Sequence, residues 1–240
     1  MEKWYDNGYV SFDTETTGVQ ENNDRIVSAS ILFYGNFHEM ISQREWLINP
    51  GIDIPESATA INGLSTSYAR THGIDAAEGI MQILDVLAGY VRRGVPILAF
   101  NGSFDLTILF HEAHRHGLEA TEEFAELFGP GSPLALIDGL TMHRKAHVKW
   151  AGRRNLGALC QAYGVTLTDA HNATADAQAA AQLCVQLTRE TPELFEVPAS
   201  VLHREQMGWY SEQMEELQAY LRVSRNDPSI ICRPHWPVRR

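Results

Sequence analysis

Hydrophobic residues recur along this chain with two different periods. Tyr9 to Phe12 is a short apolar run that ends on acids, and it predicts a strand. Arg25 to Tyr34 (RIVSASILFY) and Phe37 to Ile48 (FHEMISQREWLI) predict two more. Gly35-Asn36 between them reads as a two-residue hairpin turn in which Gly35 supplies a positive φ. The sheet is therefore expected to begin as an antiparallel meander. The period then changes. In Asp75 to Arg93, the residues Ile80, Ile83, Leu84, Leu87 and Val91 recur at helical spacing, and Gly94 and Pro96 end the helix. Pro96 to Phe100 (PILAF) is a continuous apolar run suited to a strand buried on both faces. A helix follows from about Phe104 to His116, closed by Gly117, then a short strand over Leu134 to Ile137. Further helices are expected at Asn155 to Tyr163 and Ala173 to Arg189. Strands alternating with helices after a meander predict a mixed α/β sheet flanked by helices, with residues 1–190 as one domain. Thr191-Pro192 and Val197-Pro198 open a C-terminal extension, residues 191–240. A helix lies within Val201 to Leu221, and the end from Arg225 is irregular.

Composition narrows the class. A chain of 240 residues, 44% of them hydrophobic, is long enough for one sizeable core. No apolar run approaches the ~20 residues that span a bilayer, and the N-terminal MEKWYDNG lacks the layout of a signal peptide. Cys160, Cys184 and Cys232 make neither a zinc pattern nor a disulfide framework. The expectation is a cytoplasmic protein of a reducing compartment, without a membrane partner. The net charge of −11 argues against a general nucleic-acid coat protein, which would be basic. It leaves room for a nucleic-acid enzyme whose carboxylates bind cations that in turn meet phosphates.

The acids have a pattern. Asp13 and Glu15 follow the first strand two residues apart, so they share a face with Cα atoms ~6.6 Å apart. Asp105 falls on the Ile108/Leu109 face of its helix. Asp176 shares a face with Ala180, Leu183 and Leu187. Both faces should turn toward the sheet. Carboxylates gathered in this way repel: two unit charges 4 Å apart repel by ~4 kcal/mol at an effective dielectric of 20. Protonation or divalent cations must relieve this. Hard oxygen ligands without cysteine suit Mg2+ or Mn2+, and two such ions can grip both oxygens of an in-line displacement at phosphorus. His171 lies five residues before Asp176, just ahead of a helix that Asn172 can cap, where an imidazole can take a proton from water.

Three segments together carry a family resemblance. FDTETTG (Phe12 to Gly18), NGSFDLTIL (Asn101 to Leu109) and HNATADAQAA (His171 to Ala180) resemble, in order, the three motifs of the DEDDh exonucleases. These are DnaQ-like proteins with a ribonuclease H-like fold. The subset most resembled is the proofreading ε subunit of bacterial DNA polymerase III and its stand-alone relatives. The resemblance covers about residues 8–190. It implies Asp13, Glu15, Asp105 and Asp176 as ligands of two divalent ions, Mg2+ or Mn2+, with Asp13 bridging them, and His171 as general base. It also implies that Thr16, Thr17 and Gly18 receive the 3′-terminal nucleotide, with Asn101 and Phe104 beside it. The implied partner is nucleic acid with a free 3′ end, DNA in preference to RNA, and a DNA polymerase is a candidate partner. Trp46 to Ser65 also resembles the family, but Asn62 stands where many relatives carry His; the metal set is untouched by this.

Other readings stand beside these. An exoribonuclease of the same fold, similar to RNase T or oligoribonuclease, is the enzymatic alternative, and a non-catalytic polymerase-binding module is the other. Taken singly, Asp105 and Asp176 are helix-start acids, Thr16 to Gly18 and Asn101-Gly102 are turns, and Phe104 is a core residue. His111 to His116 (HEAHRH) fails the HExxH pattern and reads as a solvated helix face. Cys160 and Cys184 read as small core residues. Arg144 to Arg154 holds five of the nineteen basic residues and no acid, which suits either a solvated surface or a contact with phosphates. Trp150 within it suits either base stacking or partial burial. The apolar residues of the last helix suit packing back on the domain, dimerisation, or a polymerase contact.

Overall fold

The computed structural model describes residues 2–239. Its sheet is organised around β1 (Tyr9–Thr16), which pairs antiparallel with β2 (Ile26–Tyr34) and parallel with β5 (Ile97–Ala99). β2 pairs antiparallel with β3 (Met40–Asn49), whose end takes the short parallel strand β4 (Ile74–Asp75). β6 (Leu136–Asp138) runs parallel to β5. The order is β4-β3-β2-β1-β5-β6, a mixed sheet as the alternating pattern predicts and of the ribonuclease H-like kind that the resemblance implies.

The helices in chain order are α1 (Glu56–Asn62), α2 (Thr66–His72), α3 (Ala76–Val91), α4 (Gly102–Arg115), α5 (Glu122–Phe128), α6 (Gly139–Ala146), α7 (Leu156–Tyr163), α8 (Ala173–Glu190), α9 (Pro192–Phe195) and α10 (Ala199–Ser224). Successive strand residues point to opposite faces, and the core divides accordingly. Val10, Phe12, Ile97 and Ala99 pack with α3, α4 and α5, while Tyr9, Leu98 and Ile137 pack with α7 and α8. α1 and α2 enclose a small satellite cluster of Val27, Ile54, Ala58 and Ala69.

The hairpin differs from expectation. The β2–β3 connection spans residues 35–39, closed by Gly35 N–H to Glu39 O (2.9 Å) and His38 N–H to Gly35 O (3.0 Å). The positive φ belongs to His38 (64°), not to Gly35, and Phe37 is exposed outside the strand. A Cβ at Gly35 would meet only the Glu39 carboxylate, the end of an exposed and flexible side chain that can turn aside. The HEAHRH face also differs. Glu112 is fully buried and forms ion pairs with Arg25 and Arg115, and Ala113 beside it is buried in the core, so this turn of α4 faces inward at two positions. Cys160 and Cys184 are buried, as expected. Among the described residues, no helix is long and apolar enough to cross a membrane.

α10 packs back on the sheet and its helices. Leu202 and Trp209 of α10 join the α8 side of the core, while Tyr210 and Met214 join the α4 side. α10 also closes the outer edge of β6 with side chains. Gln206 Oε1 accepts from Asp138 N–H (2.8 Å), Gln206 Nε2 donates to Leu136 O (3.0 Å), and His203 Nδ1 accepts from Leu136 N–H (3.0 Å). A primary amide offers the same donor and acceptor as a peptide unit, so Gln206 stands in for a neighbouring strand. Gln206→Leu keeps the approximate volume but leaves Leu136 O and Asp138 N–H unpaired. It should lose about 1–3 kcal/mol of stability per unpaired group, measured by urea denaturation.

Candidate active site

Alternation along β1 delivers its tip residues to both sides of the sheet. Asp13 and Glu15 have the parity of Tyr9 and face the α8 side, whereas Thr14 has the parity of Phe12 and faces α4. Thr14 grips Asp105, in the first turn of α4: its N–H donates to Asp105 Oδ1 (3.0 Å), and so does its hydroxyl (2.7 Å). Asp105 is 4% exposed. α4 can start so close to the strand end because Asn101 takes a left-handed conformation (φ 63°). The N–H of Asn101 donates to Asp138 Oδ1 (2.9 Å), and the same oxygen caps α6 by accepting from Leu140 N–H (2.9 Å). Asp138 therefore ties the β5–α4 turn to the β6–α6 turn.

From the other side, His171 precedes α8 with φ 67° and donates its backbone N–H to Asp176 Oδ2 (3.1 Å). Asn172 caps α8 by accepting from Thr174 and Ala175 N–H (3.1 and 3.2 Å), as its position in the sequence predicts. One ligand atom each from Glu15, His171 and Asp176 lie within 4.8 Å of one another.

The electrostatics follow from this crowding. Burial, then the charges of Asp105, Asp176 and Glu15, push the Asp13 carboxyl well above the usual range. Burial and then Asp176 and Asp105 raise Glu15 from 4.5 to about 8. Burial raises Asp105 from 3.8 to about 7 against the bonds from Thr14, with Asp138 adding to the rise. Burial raises Asp176 too, opposed by the His171 N–H. Asp176 Oδ1 is buried with no hydrogen-bond partner. An orphaned carboxylate oxygen among three further acids fits a divalent cation: the donors are hard oxygens, and the missing partner is positive charge. The structure thus brings Asp13, Glu15, Asp105, His171 and Asp176 together.

An open cleft of about 450 Å³ begins at this cluster and is lined by Glu15, Glu45, Asn62, Tyr68, His171 and Thr174, among others. Asn62 reaches the β1 tip, with Nδ2 3.4 Å from Thr16 O. Thr16 Oγ1 donates to Gly18 O (2.6 Å), and the Thr17 hydroxyl donates to Asp24 Oδ1 (2.8 Å). A Cβ on Gly18 would meet the Asp24 carboxylate at 2.6 Å. The hydroxyls of this loop thus shape the loop itself. Asn101 is exposed and makes no side-chain cap, Phe104 is half-buried, and neither lines the cleft. Nor does any residue of the basic run. Arg144, Lys145 and Arg154 turn toward α10, with Lys145 3.7 Å from Glu212. Trp150 is half-buried, stacked on Tyr163 and edge-on to His143. Sequence reasoning passed over Thr14, Glu45 and Asp138. Asp138 had a visible signal: an acid closing the apolar run Leu134 to Ile137, as Asp13 closes the first strand.

The raised carboxyls predict a pH dependence with a definite sign. Glu15 and Asp105 titrate at about 8 and about 7 folded, against 4.5 and 3.8 as ordinary carboxyls, so the folded chain binds more protons. Their contribution is complete at acid pH and is lost as pH rises through the unfolded values toward the folded ones. In EDTA, Tm should fall from about pH 5 to about pH 8, and Mg2+ or Mn2+ should restore it most at the alkaline end. Differential scanning fluorimetry checks this.

Comparison with known proteins agrees with the geometry. The RNase T exonuclease family model matches residues 10–184. DNA polymerase III PolC-type of Streptococcus agalactiae is 29% identical over 187 residues, covering 77% of this chain and 11% of the polymerase. The PolC-type enzyme of Staphylococcus aureus is 29% identical over 186 residues, 78% and 12% of the two chains. The chain thus spans about a tenth of the length of these relatives. Exonuclease I of E. coli, solved with a dT13 oligonucleotide, shares the fold at TM-score 0.67 and 20% identity, over 79% of this chain and 42% of that one. With its motifs gathered at one sheet end and the model matched across most of its length, this chain belongs to the RNase T exonuclease family, in the DEDDh, DnaQ-like group.

Proposed function

We propose that the chain is a 3′→5′ exonuclease that hydrolyses the terminal phosphodiester of DNA and releases nucleoside 5′-monophosphates. The observation that carries this is the meeting of Asp13 and Glu15 from β1, Asp105 from α4 and Asp176 from α8, with His171 at the mouth of one cleft. Asp13, Glu15, Asp105 and Asp176 would hold two divalent ions, Mg2+ or Mn2+, which supply positive charge beside the attacking and leaving oxygens. His171, exposed and on a short loop, takes the proton of the attacking water. Thr16, Thr17 and Gly18 receive the 3′-terminal nucleotide, with Asn101 and Phe104 at its margin. Residues 1–190 form the catalytic unit and 191–240 its extension.

DNA is preferred to RNA as substrate because the relatives include DNA polymerases and a structural neighbour solved with a DNA oligonucleotide. A DNA polymerase is a candidate partner, and a cytoplasmic location fits a chain whose described residues include no membrane-spanning helix. A filled set of five catalytic positions speaks against a non-catalytic module.

Asp13→Ala should lose nearly all Mg2+-dependent nuclease activity; retention of the wild-type rate would sink the assignment. His171→Ala should lower the rate about 10²- to 10⁴-fold while keeping the metal-dependent rise in Tm. Oligonucleotides of DNA and RNA, 5′-labelled and digested with Mn2+, should give a ladder shortening from the 3′ end. A ladder on RNA alone would replace this reading with the exoribonuclease.

A further inference from the structure

Residue 239 of the C-terminal tail lies beside the loop that follows the first acid pair. Beyond α10 the chain is fastened by Arg222 Nε to Ile230 O (2.9 Å) and Cys232 N–H to Gln218 Oε1 (3.0 Å). Trp236 is buried, with its ring 4.9 Å from that of His203. Arg239 then meets three elements at once. Its backbone N–H donates to Thr107 Oγ1 of α4 (3.0 Å), and Nη1 donates to the Tyr210 hydroxyl of α10 (2.7 Å). Nε donates to Glu21 Oε2 (3.1 Å), and Nη2 completes a two-pronged ion pair with the other Glu21 oxygen.

Glu21 lies in the loop 17–25, which continues from Thr16. The inner turn of this loop is held by Asp24, which accepts from Thr17 Oγ1 (2.8 Å) and Gln20 N–H (2.7 Å). Its outer part is held from outside the loop. Arg115 of α4 donates to Asn22 O (2.9 Å), and Arg239 takes Glu21. Both side chains of the Arg239–Glu21 pair are 19% exposed, so the pair is more desolvated than an ordinary surface bridge. The planar fork of arginine fixes direction as well as distance. Thr107 lies two residues beyond Asp105 on the same helix, so the tail connects the loop of the first motif to the helix of the second.

We propose that Arg239 is a positioning residue of the exonuclease site: it locks loop 17–25 onto α4 and α10 and so sets the Thr16-Thr17-Gly18 seat of the 3′-terminal nucleotide. This rests on the exonuclease reading. Arg239 touches none of the metal-binding acids, so its loss acts on substrate placement.

The test uses the full chain with Arg239→Ala, Arg239→Lys, Glu21→Ala, the single reversals Glu21→Arg and Arg239→Glu, and these two reversals combined. Kinetics are measured on 5′-labelled single-stranded DNA with Mg2+. Either alanine variant should raise KM about tenfold with little change in kcat. Lysine should recover part of this, the swapped pair should recover more than either single reversal, and the metal-dependent rise in Tm should persist. Hydrogen exchange gives a second readout independent of activity: amides of loop 17–25 should exchange about tenfold faster in Arg239→Ala, while those of α7 should not change. Unchanged KM in an active enzyme, or unchanged exchange in the loop, overturns the proposal even if Tm falls. A wild-type chain inactive on DNA and RNA overturns the exonuclease reading instead, and the exchange experiment then decides whether Arg239 holds the loop.

Discussion

Asp13, Glu15, Asp105 and Asp176 repel one another across the end of β1, and the surrounding fold holds them there against that repulsion. Carboxyl groups this close and this dry cannot all ionise without positive charge, so protons or divalent cations must neutralise part of the set. The backbone around it is fixed at unusual places to keep the acids converged. Asn101 and His171, neither of them glycine, adopt positive φ at the entrances to the two helices that bring Asp105 and Asp176. Such conformations persist where the neighbourhood over-determines them, here through Asp138 on Asn101 and Asp176 on His171.

The two faces of the sheet contribute differently. On the α8 side, Asp13 and Glu15 look across at Asp176 and His171, and the cleft opens there. On the α4 side, Thr14 occupies the intervening position and draws Asp105 in with two hydrogen bonds to one oxygen. A spacing of two along a strand thus does more than pair two acids: the residue between them anchors a third acid. A Thr at that position has both a backbone and a side-chain donor to give.

Long periodic segments and the acid pattern were legible in the sequence. The meander, the helix around Leu84 and the helix carrying Asp176 all follow from apolar spacing, because each buries a wide face. What escaped was set by elements too short to show a period and by side-chain contacts, some of them distant in sequence. α1 and α2 are seven residues each, too short for a period to register, and are delimited by the left-handed Gly63 and the Ser65 cap. The hairpin misled because Gly-Asn is a strong local turn signal, whereas the Glu39 carboxylate, which accepts from Phe37 N–H, and the His38 ring on the Tyr9 hydroxyl hold a longer loop. Glu112 looked solvated until Arg25, 87 positions away, came to meet it. The basic run suited a solvated surface or phosphates equally; in the fold none of it lines the cleft, and Lys145 lies 3.7 Å from Glu212 of α10.

The side-chain closure of β6 by Gln206 and His203 also constrains how this molecule can meet others. An open sheet edge invites β-augmentation, in which a partner's extended segment adds itself as one more strand. At β6 that route is blocked, because the groups such a segment would pair with are already held by α10. The opposite edge is only part-covered by β4, and the free stretch of β3 carries Gln43, Arg44 and Glu45, polar residues that discourage unspecific pairing. Association at the β6 side must therefore proceed through helix surfaces rather than by extending the sheet.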